Sequence, residues 1–475
     1  MKPARAAPFS PGAPDVPDAP ANVQAHAPAG TTSRSPWWWI PSLYWGQGLP
    51  YVVVMTLSVV LYKNLGLDNT AIALYTSWLY LPWVVKPLWS PLVDLLGRKR
   101  AWVIGMQLLV GAALAAVALT LPAPRALQLS LALFWLLAFA SATHDIAADG
   151  FYMLALRQDQ QAAFVGVRSL FYRVAMISAQ GGLVWAAGRL AETTGNVVLG
   201  WQLVFGALAA LFLLLSGWHF ALLPRPTSDH PSGASAAAAD ENGNAGGNGN
   251  GSAPGLWRGF VQTFASFFAR RDIVTVLAFL MLYRLGEAQL VKLAPPFLLD
   301  AHGNGGLALS TAELGLVYGS IGVAALTAGG LLGGWVISRH GLQRWLWPMV
   351  AAIHLPNLLY VALAIAQPQS LWLVSAAVAI EQLGYGFGFA AYLMFMIWVA
   401  EGPSKTAHYA LCTGFMALGM MLPGMTSGWL QQHLGYPLFF AWVCLCTLPS
   451  IAVAARLRIP AGFGRKDDER SGAAA

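Results

Sequence analysis

A succession of apolar runs, each about 20 residues or longer, constrains this chain more than any other feature, because a run of that length crosses a bilayer as a helix. The runs fall at 38–62, 72–95, 101–121, 127–152, 164–189 and 201–222, then at 273–299, 313–338, 345–366, 371–399, 406–428 and 436–457. Hydrocarbon offers no water to backbone N–H and C=O groups, so a spanning segment must satisfy them internally. Composition agrees: 57% of residues are apolar and 10% charged, where a soluble protein carries about 25% charged residues. The sequence predicts an all-α membrane protein with twelve transmembrane helices in two six-helix halves.

The division between halves is visible as a change of composition. Residues 226–255, PTSDHPSGASAAAADENGNAGGNGNGSAPG, hold little that could be buried, so they read as a loose tether. The expected organisation is a disordered, Pro-rich N-terminus over 1–35, a first half over 36–222, a flexible linker over 223–271, a second half over 272–458 and a tail over 459–475. The N-terminal stretch has no apolar h-region and does not read as a signal peptide. Cys412, Cys444 and Cys446 all lie in apolar segments and are expected to pack rather than to form disulfides or bind metal.

Charge fixes the expected orientation. Cations cluster near the N-terminus, around 98–100, 157, 225, 258, 270–271 and 339–344, and in the tail, whereas the alternate loops hold Lys63, Arg125 and Arg189. Under the positive-inside rule, both termini and the linker are cytoplasmic. The net charge of +7 follows from this bias. It does not point to nucleic acid, which would need a folded basic surface outside the bilayer.

The two halves echo each other. SPLVDLLGRKRAW (90–102) and GGWVISRHGLQRW (333–345) stand at equivalent junctions, a parallel repeat of the kind found in the major facilitator superfamily. The first junction resembles that superfamily's inner-loop signature at Asp94, Gly97, Arg98 and Lys99, which implies a gating role for Asp94 and Arg98. Further motifs narrow the likeness. They are YWGQGLPYVVV (44–54), YLPWVVKPLWSPLVD (80–94), HDIAADGFY (144–152), LYRLGEAQLVKLAPPFLLD (282–300) and IEQLGYGFGFAAYLMFM (380–396), with a long C-terminal stretch over 407–440. They resemble the AmpG-type muropeptide permeases, inner-membrane facilitators that import anhydro-muropeptides during cell-wall recycling. His144 departs from that pattern, standing where Gln is expected. The resemblance implies a proton-coupled importer of an anionic amino-sugar or muropeptide-like solute in a bacterial inner membrane. Its partners would be that solute, protons and lipid, with no cofactor. Another anionic solute or a glycoside, or a membrane-embedded metal-dependent enzyme, are the competing readings. Against the enzyme, no nucleophile–base set, phosphate loop or metal motif occurs.

Charges inside apolar runs are costly and mark function or pairing. Arg284 and Glu287, at i,i+3, either neutralise each other or form a substrate or proton site. Lys292 lies further along and either snorkels or binds solute. Pro295-Pro296 is expected to break that helix just beyond it. Glu381 stands at mid-depth above a stripe of Tyr385, Phe389 and Tyr392, which suits packing or a sugar face. Lys86, between Pro82 and Pro87, either snorkels or offers a cation to the solute. Gln47, between Gly46 and Gly48, offers neutral hydrogen bonds. In HDIAADGFY, Asp145 and Asp149 share a helical face and His144 points away from it. Adjacent His and Asp side chains diverge, so a shared metal is not expected. Asp149 is expected to meet Arg98 or Arg168 as part of a gate that also holds Arg173. As proton carriers Glu381 ranks first, having no cation on its own helix, then Asp145, then Glu287.

A reporter active only in the cytoplasm, inserted within residues 230–250, is expected to be active; activity only from a periplasmic reporter at that position would overturn the topology.

Overall fold

The computed structural model describes residues 35–227, 229, 261–262, 264–401, 405–460 and 462–465. The expected N-terminal segment, most of the linker and the end of the tail lie outside them. Every regular element among the described residues is helical. Nine of the helical stretches are long and apolar enough to cross a membrane.

Three expected spans account for the lower number. The span at 72–95 is broken at Leu79–Tyr80 into Asn69–Trp78 and Leu81–Leu95. The span at 164–189 runs from Gln158 to Thr194 through a π turn at Ser178–Leu183 and carries Arg168, Arg173 and Arg189. The last two spans run together as Ala407–Ala454, with Gly435 at φ 70° and ψ 165° marking the turn between them.

One break falls where the sequence did not place it. The helix Leu285–Leu299 runs through Pro295 and Pro296, which withhold two N–H donors from its last turns without ending it. The interruption lies instead at Tyr283–Arg284, between Ile273–Leu282 and Leu285–Leu299. A second interruption, at Leu355–Pro356, separates Leu342–His354 from Asn357–Ala366.

The helices before and after residues 230–260 share a core at one end only. There, Leu57, Tyr62 and Ile72 of the first set join Leu293, Phe297 and Phe440 of the second in one apolar cluster. At the opposite end the core divides. Trp39, Tyr44, Val103 and Phe151 form a cluster within the first set, and Phe279, Tyr283, Met349 and Phe395 form another within the second. The two sets therefore share an apolar core at the end that bears Lys63, the wedged end, and keep separate cores at the end that bears Arg168, the parted end, where Arg173 still approaches Gly330.

Two glycine seams permit the close approach. A Cβ on Gly428 would stand 1.9 Å from the Asn69 carbonyl oxygen, and one on Gly319 would stand 2.0 Å from that of Gln180. No side chain fits at either place, so backbone meets backbone across the two sets.

The stretch expected as a loose linker is anchored at both ends. The Asp229 carboxylate accepts from the backbone N–H of Lys99 (2.6 Å) and Arg100 (3.1 Å), at the positive end of the Lys99–Thr120 helix. At the far side, Phe267 is buried and lies against Phe415 and His408.

Candidate functional site

The wedged end is closed by polar contacts as well as by apolar packing. Lys63 Nζ lies 2.6 Å from Asp300 Oδ1 and also donates to Asn69 Oδ1 at 2.8 Å. Asn69 Nδ2 donates to Gln431 Oε1 and to the Tyr436 hydroxyl, each at 2.8 Å, and Tyr436 donates to Asp300 Oδ2 at 2.6 Å. Lys63 and Asn69 belong to the first set; Asp300, Gln431 and Tyr436 belong to the second. The two charged side chains keep only 14% and 12% of their exposure. Removing one partner of such a sheltered pair costs about 3–5 kcal/mol, because the other charge is left buried. Sequence reasoning read Lys63 as a loop cation and did not single out Asp300. The signal was weak: two charges at helix ends whose loops are distant in the chain.

Across the middle, the structure rearranges the expected pairs. Arg284 does not pair with Glu287. It stands at the helix interruption with φ −108° and ψ 19°, so the helical i,i+3 geometry does not hold there. Its guanidinium instead donates to the Tyr385 hydroxyl and lies over the rings of Tyr385 (5.2 Å) and Phe389 (4.8 Å). The aromatic stripe on Leu371–Ala400 therefore holds a cation. Glu287 is fully buried in the first turn of Leu285–Leu299, and neither carboxylate oxygen has a hydrogen-bond partner.

Lys292 does not snorkel. It is buried, donates to Thr76 Oγ1 of the first set at 3.0 Å and lies 5.4 Å from the centre of the Tyr80 ring. Glu381 is buried, with Oε2 accepting from Gln382 at 3.0 Å and Oε1 unpartnered. Gln47 is buried with its side-chain oxygen unpartnered.

In the first set, Asp145 has a cation that the sequence reading did not assign to it. Lys86 Nζ stands 3.5 Å from Asp145 Oδ2, and the Trp83 indole donates to the same oxygen at 3.3 Å. His144 turns away, as its position on the helix requires. Its Nε2 meets Gln107 Nε2 at 3.1 Å, Gln107 Oε1 meets His219 Nδ1 at 2.9 Å, and His219 Nε2 meets Ser42 Oγ at 3.0 Å. The residue that departs from the permease pattern is thus tied into a buried polar chain inside the first set.

At the parted end, Asp149 pairs with Arg168 at 2.9 Å, and Arg168 lies over the Tyr44 and Tyr152 rings. Arg98, the other expected partner, is exposed and makes no ion pair among the described residues. The Asp94 side chain lies outside the described residues. Arg173 is half-buried and reaches towards Gly330 of the second set. The Asp149–Arg168 pair keeps 40% and 29% exposure and lies wholly within the first set. Pairs so exposed contribute about 1 kcal/mol or less. The lock between the two sets in this structure is therefore the Lys63–Asp300 cluster.

Comparison with known proteins places this geometry in a family. The Major Facilitator Superfamily profile matches residues 42–409, and the chain belongs to that superfamily. The anhydromuropeptide permease of Escherichia coli K12 is 27% identical over 391 residues, covering 81% of this chain and 72% of that protein. A putative transporter AmpG 4 of Rickettsia conorii is 25% identical, covering 86% of this chain and 92% of its own. The likeness read from the motifs is therefore borne out. The fold recurs in the nucleoside transporter NupG, with a TM-score of 0.61 at 15% identity, over 88% of this chain and 97% of that one. It recurs also in a bacterial homologue of the human lysosomal transporter Spinster, with a TM-score of 0.59 at 16% identity, over 91% and 97%. Family and relatives are transporters, and the chain is a multi-pass membrane transporter rather than an enzyme.

Lys63→Met is expected to loosen the wedged end. A cysteine at buried Ser77 (Ser77→Cys) should resist a membrane-impermeant maleimide in the otherwise native protein and react at least several-fold faster when Lys63→Met is added. Equal protection in both would show that the ion pair does not hold that end shut.

Proposed function

We propose that this member of the superfamily is a proton-coupled importer of an anionic saccharide–peptide solute of the anhydromuropeptide kind, working by alternating access in a bacterial inner membrane. Twelve spans in two six-helix halves rock about the central charged layer. The wedged end faces the periplasm and the parted end faces the cytoplasm, where both termini lie. One observation carries the reading: two helix sets share a core at one end, separate at the other, and bury unpaired charges between those ends. A transporter needs both features, a seal that can change sides and charged groups whose state depends on which side is open. The solute class rests on the permease relatives, and the orientation on the cations gathered at the parted end.

The residues divide by chemistry. Arg284, held flat on two rings, offers a planar fork to a solute carboxylate. Lys86, Lys292 and Gln47 supply further cations and an amide, while Tyr385 and Phe389 present ring faces to a sugar. Glu381 carries the coupled proton, with Glu287 beside it. Asp145 ranks behind them, since Lys86 and Trp83 already hold its carboxylate. Asp149, Arg168, Arg98, Asp94 and Arg173 close the cytoplasmic side in the opposite state.

The test uses purified protein in proteoliposomes with labelled anhydromuropeptide, an imposed pH gradient, and amino sugars, free peptides and acetyl-CoA as competitors. Wild-type protein is expected to concentrate the label unchanged. Glu381→Gln should abolish uphill uptake while exchange at equal concentrations persists, and Arg284→Ala should lose both. Uphill uptake by Glu381→Gln would remove the coupling assignment, and displacement by a competitor but not by muropeptide would remove the solute assignment.

A further inference from the structure

Buried polar atoms are hydrogen-bonded in the great majority of cases, and each one left without a partner costs about 1–3 kcal/mol. Eight of the 15 unpartnered buried side-chain atoms in the described residues belong to five residues: Glu287, His354, Asn357, Tyr360 and Glu381. Both ring nitrogens of His354, both amide atoms of Asn357 and the Tyr360 hydroxyl are among them, and these residues are 5%, 1% and 0% exposed. The concentration in one place is what sets them apart from ordinary packing defects.

Helix register brings the five together. His354, Asn357 and Tyr360 repeat at i, i+3 and i+6, so they follow one face past the Leu355–Pro356 interruption. The Leu371–Ala400 helix runs against this face. A Cβ on Gly388 would meet Ile353 and the Met349 carbonyl, and one on Gly384 would meet Pro356 and the Ala352 carbonyl. Continued by one turn, that register sets Asn357 and Tyr360 beside Glu381. On the other side, Tyr392 donates to the Leu280 carbonyl at 2.7 Å and Tyr283 to the Gly388 carbonyl at 3.1 Å. The same antiparallel register sets Glu287 level with residues 384–385, about one helical turn from Glu381. The Glu287 and Glu381 carboxyls fall within each other's electrostatic reach. Arg284 and Tyr385 also face this group, as does Tyr318 of the Gly315–Gly322 turn, while Tyr80 reaches it from the first set.

The row has an open end and a closed end. Tyr360 packs on Phe297 (6.2 Å) and Phe440 (5.2 Å), the aromatic block of the wedged end. His354 lies at the other end of the row, its ring 5.8 Å from that of Tyr283, which belongs to the core of the parted end.

We propose that Glu287 and Glu381 hold a single proton between them, and that His354, Asn357 and Tyr360 form the row along which it passes to and from the parted side. This rests on the proton-coupled reading given above. Two adjacent carboxylates in a low dielectric do not both stay ionised at little cost, so the pair takes up one proton and keeps one negative charge opposite Arg284. On release, the proton leaves a carboxyl oxygen for the Tyr360 hydroxyl, which gives up its own, and water held by the Asn357 amide carries it on to one nitrogen of His354. The imidazole then gives up the proton on its other nitrogen and returns to the neutral form. The three side chains stand about one helical turn apart, so water bridges each gap.

The experiment compares gradient-driven uptake with solute exchange in proteoliposomes of the full-length protein. It uses Glu287→Gln, Glu381→Gln, their double variant, His354→Gln and Tyr360→Phe. If one proton is shared, Glu287→Gln and Glu381→Gln each lose at least about tenfold in uphill uptake, and the double variant loses no more than either alone. His354→Gln should slow uphill uptake several-fold while exchange at equal concentrations continues. Tyr360→Phe, which removes one oxygen and leaves packing intact, should slow uphill uptake while exchange continues. If the wild-type protein does not concentrate solute under an imposed pH gradient, the proton-coupled reading itself is wrong; if Glu381→Gln still concentrates it, the shared proton is refuted. If Glu381→Gln uncouples but Glu287→Gln does not, or the two losses multiply, the shared proton is refuted. If His354→Gln and Tyr360→Phe both keep the native rate of uphill uptake, the row is refuted.

Discussion

The Lys63–Asp300 pair joins the two helix sets at one end. It joins the end of the first membrane-crossing helix to the end of the Leu285–Leu299 helix, and Asn69 and Tyr436 tie a further helix from each set to the same carboxylate. Around it the two sets share one apolar core. A sheltered charge pair is costly to break singly and costs little to lose when water reaches both partners together. With that lock made, the glycine seams bring backbone against backbone, and the sets part at the opposite end, where their cores are separate.

The charges of the middle layer follow from this wedge. Arg284 and Lys292 are buried, yet neither has a carboxylate within ion-pair distance among the described residues; one lies on aromatic rings and the other on a hydroxyl. Lys292 reaches Thr76 across the two sets, so its surroundings change if the wedged end opens. Glu287 and Glu381 are buried deeper still, within the second set. Such uncompensated groups do not serve stability, and a chain that retains them uses them for something that comes and goes.

Much of the fold was legible in the sequence because the bilayer leaves few solutions. Apolar length located the helices, and the Gly/Asn-rich stretch divided them. What was not legible has a common physical cause: contacts between residues far apart in the chain. The partner of Asp145 is Lys86 and that of Lys292 is Thr76, and neither is on the same helix. The sequence expectation paired Arg284 with Glu287 because it assumed a continuous helix; the interruption at Tyr283–Arg284 carries no proline to announce it. The Pro295-Pro296 pair, which did announce one, lies within a helix that continues to Leu299. Helix geometry turns His144 away from Asp145 and Asp149 but does not show what it meets there: its ring joins Gln107, which joins His219.

The central claim is that the seal moves from one end to the other, and two distances measured on one protein test it. Spin labels on Thr194→Cys and Asn304→Cys would report the wedged end, and labels on Gly166→Cys and Ser338→Cys the parted end. Cys412, Cys444 and Cys446 would be replaced by alanine beforehand. Pulsed electron resonance in lipid at pH 5 and pH 8, with and without solute, should show the two distances changing in opposite directions, one shortening as the other lengthens. Distances that stay fixed, or that lengthen together, would contradict alternating access for this protein.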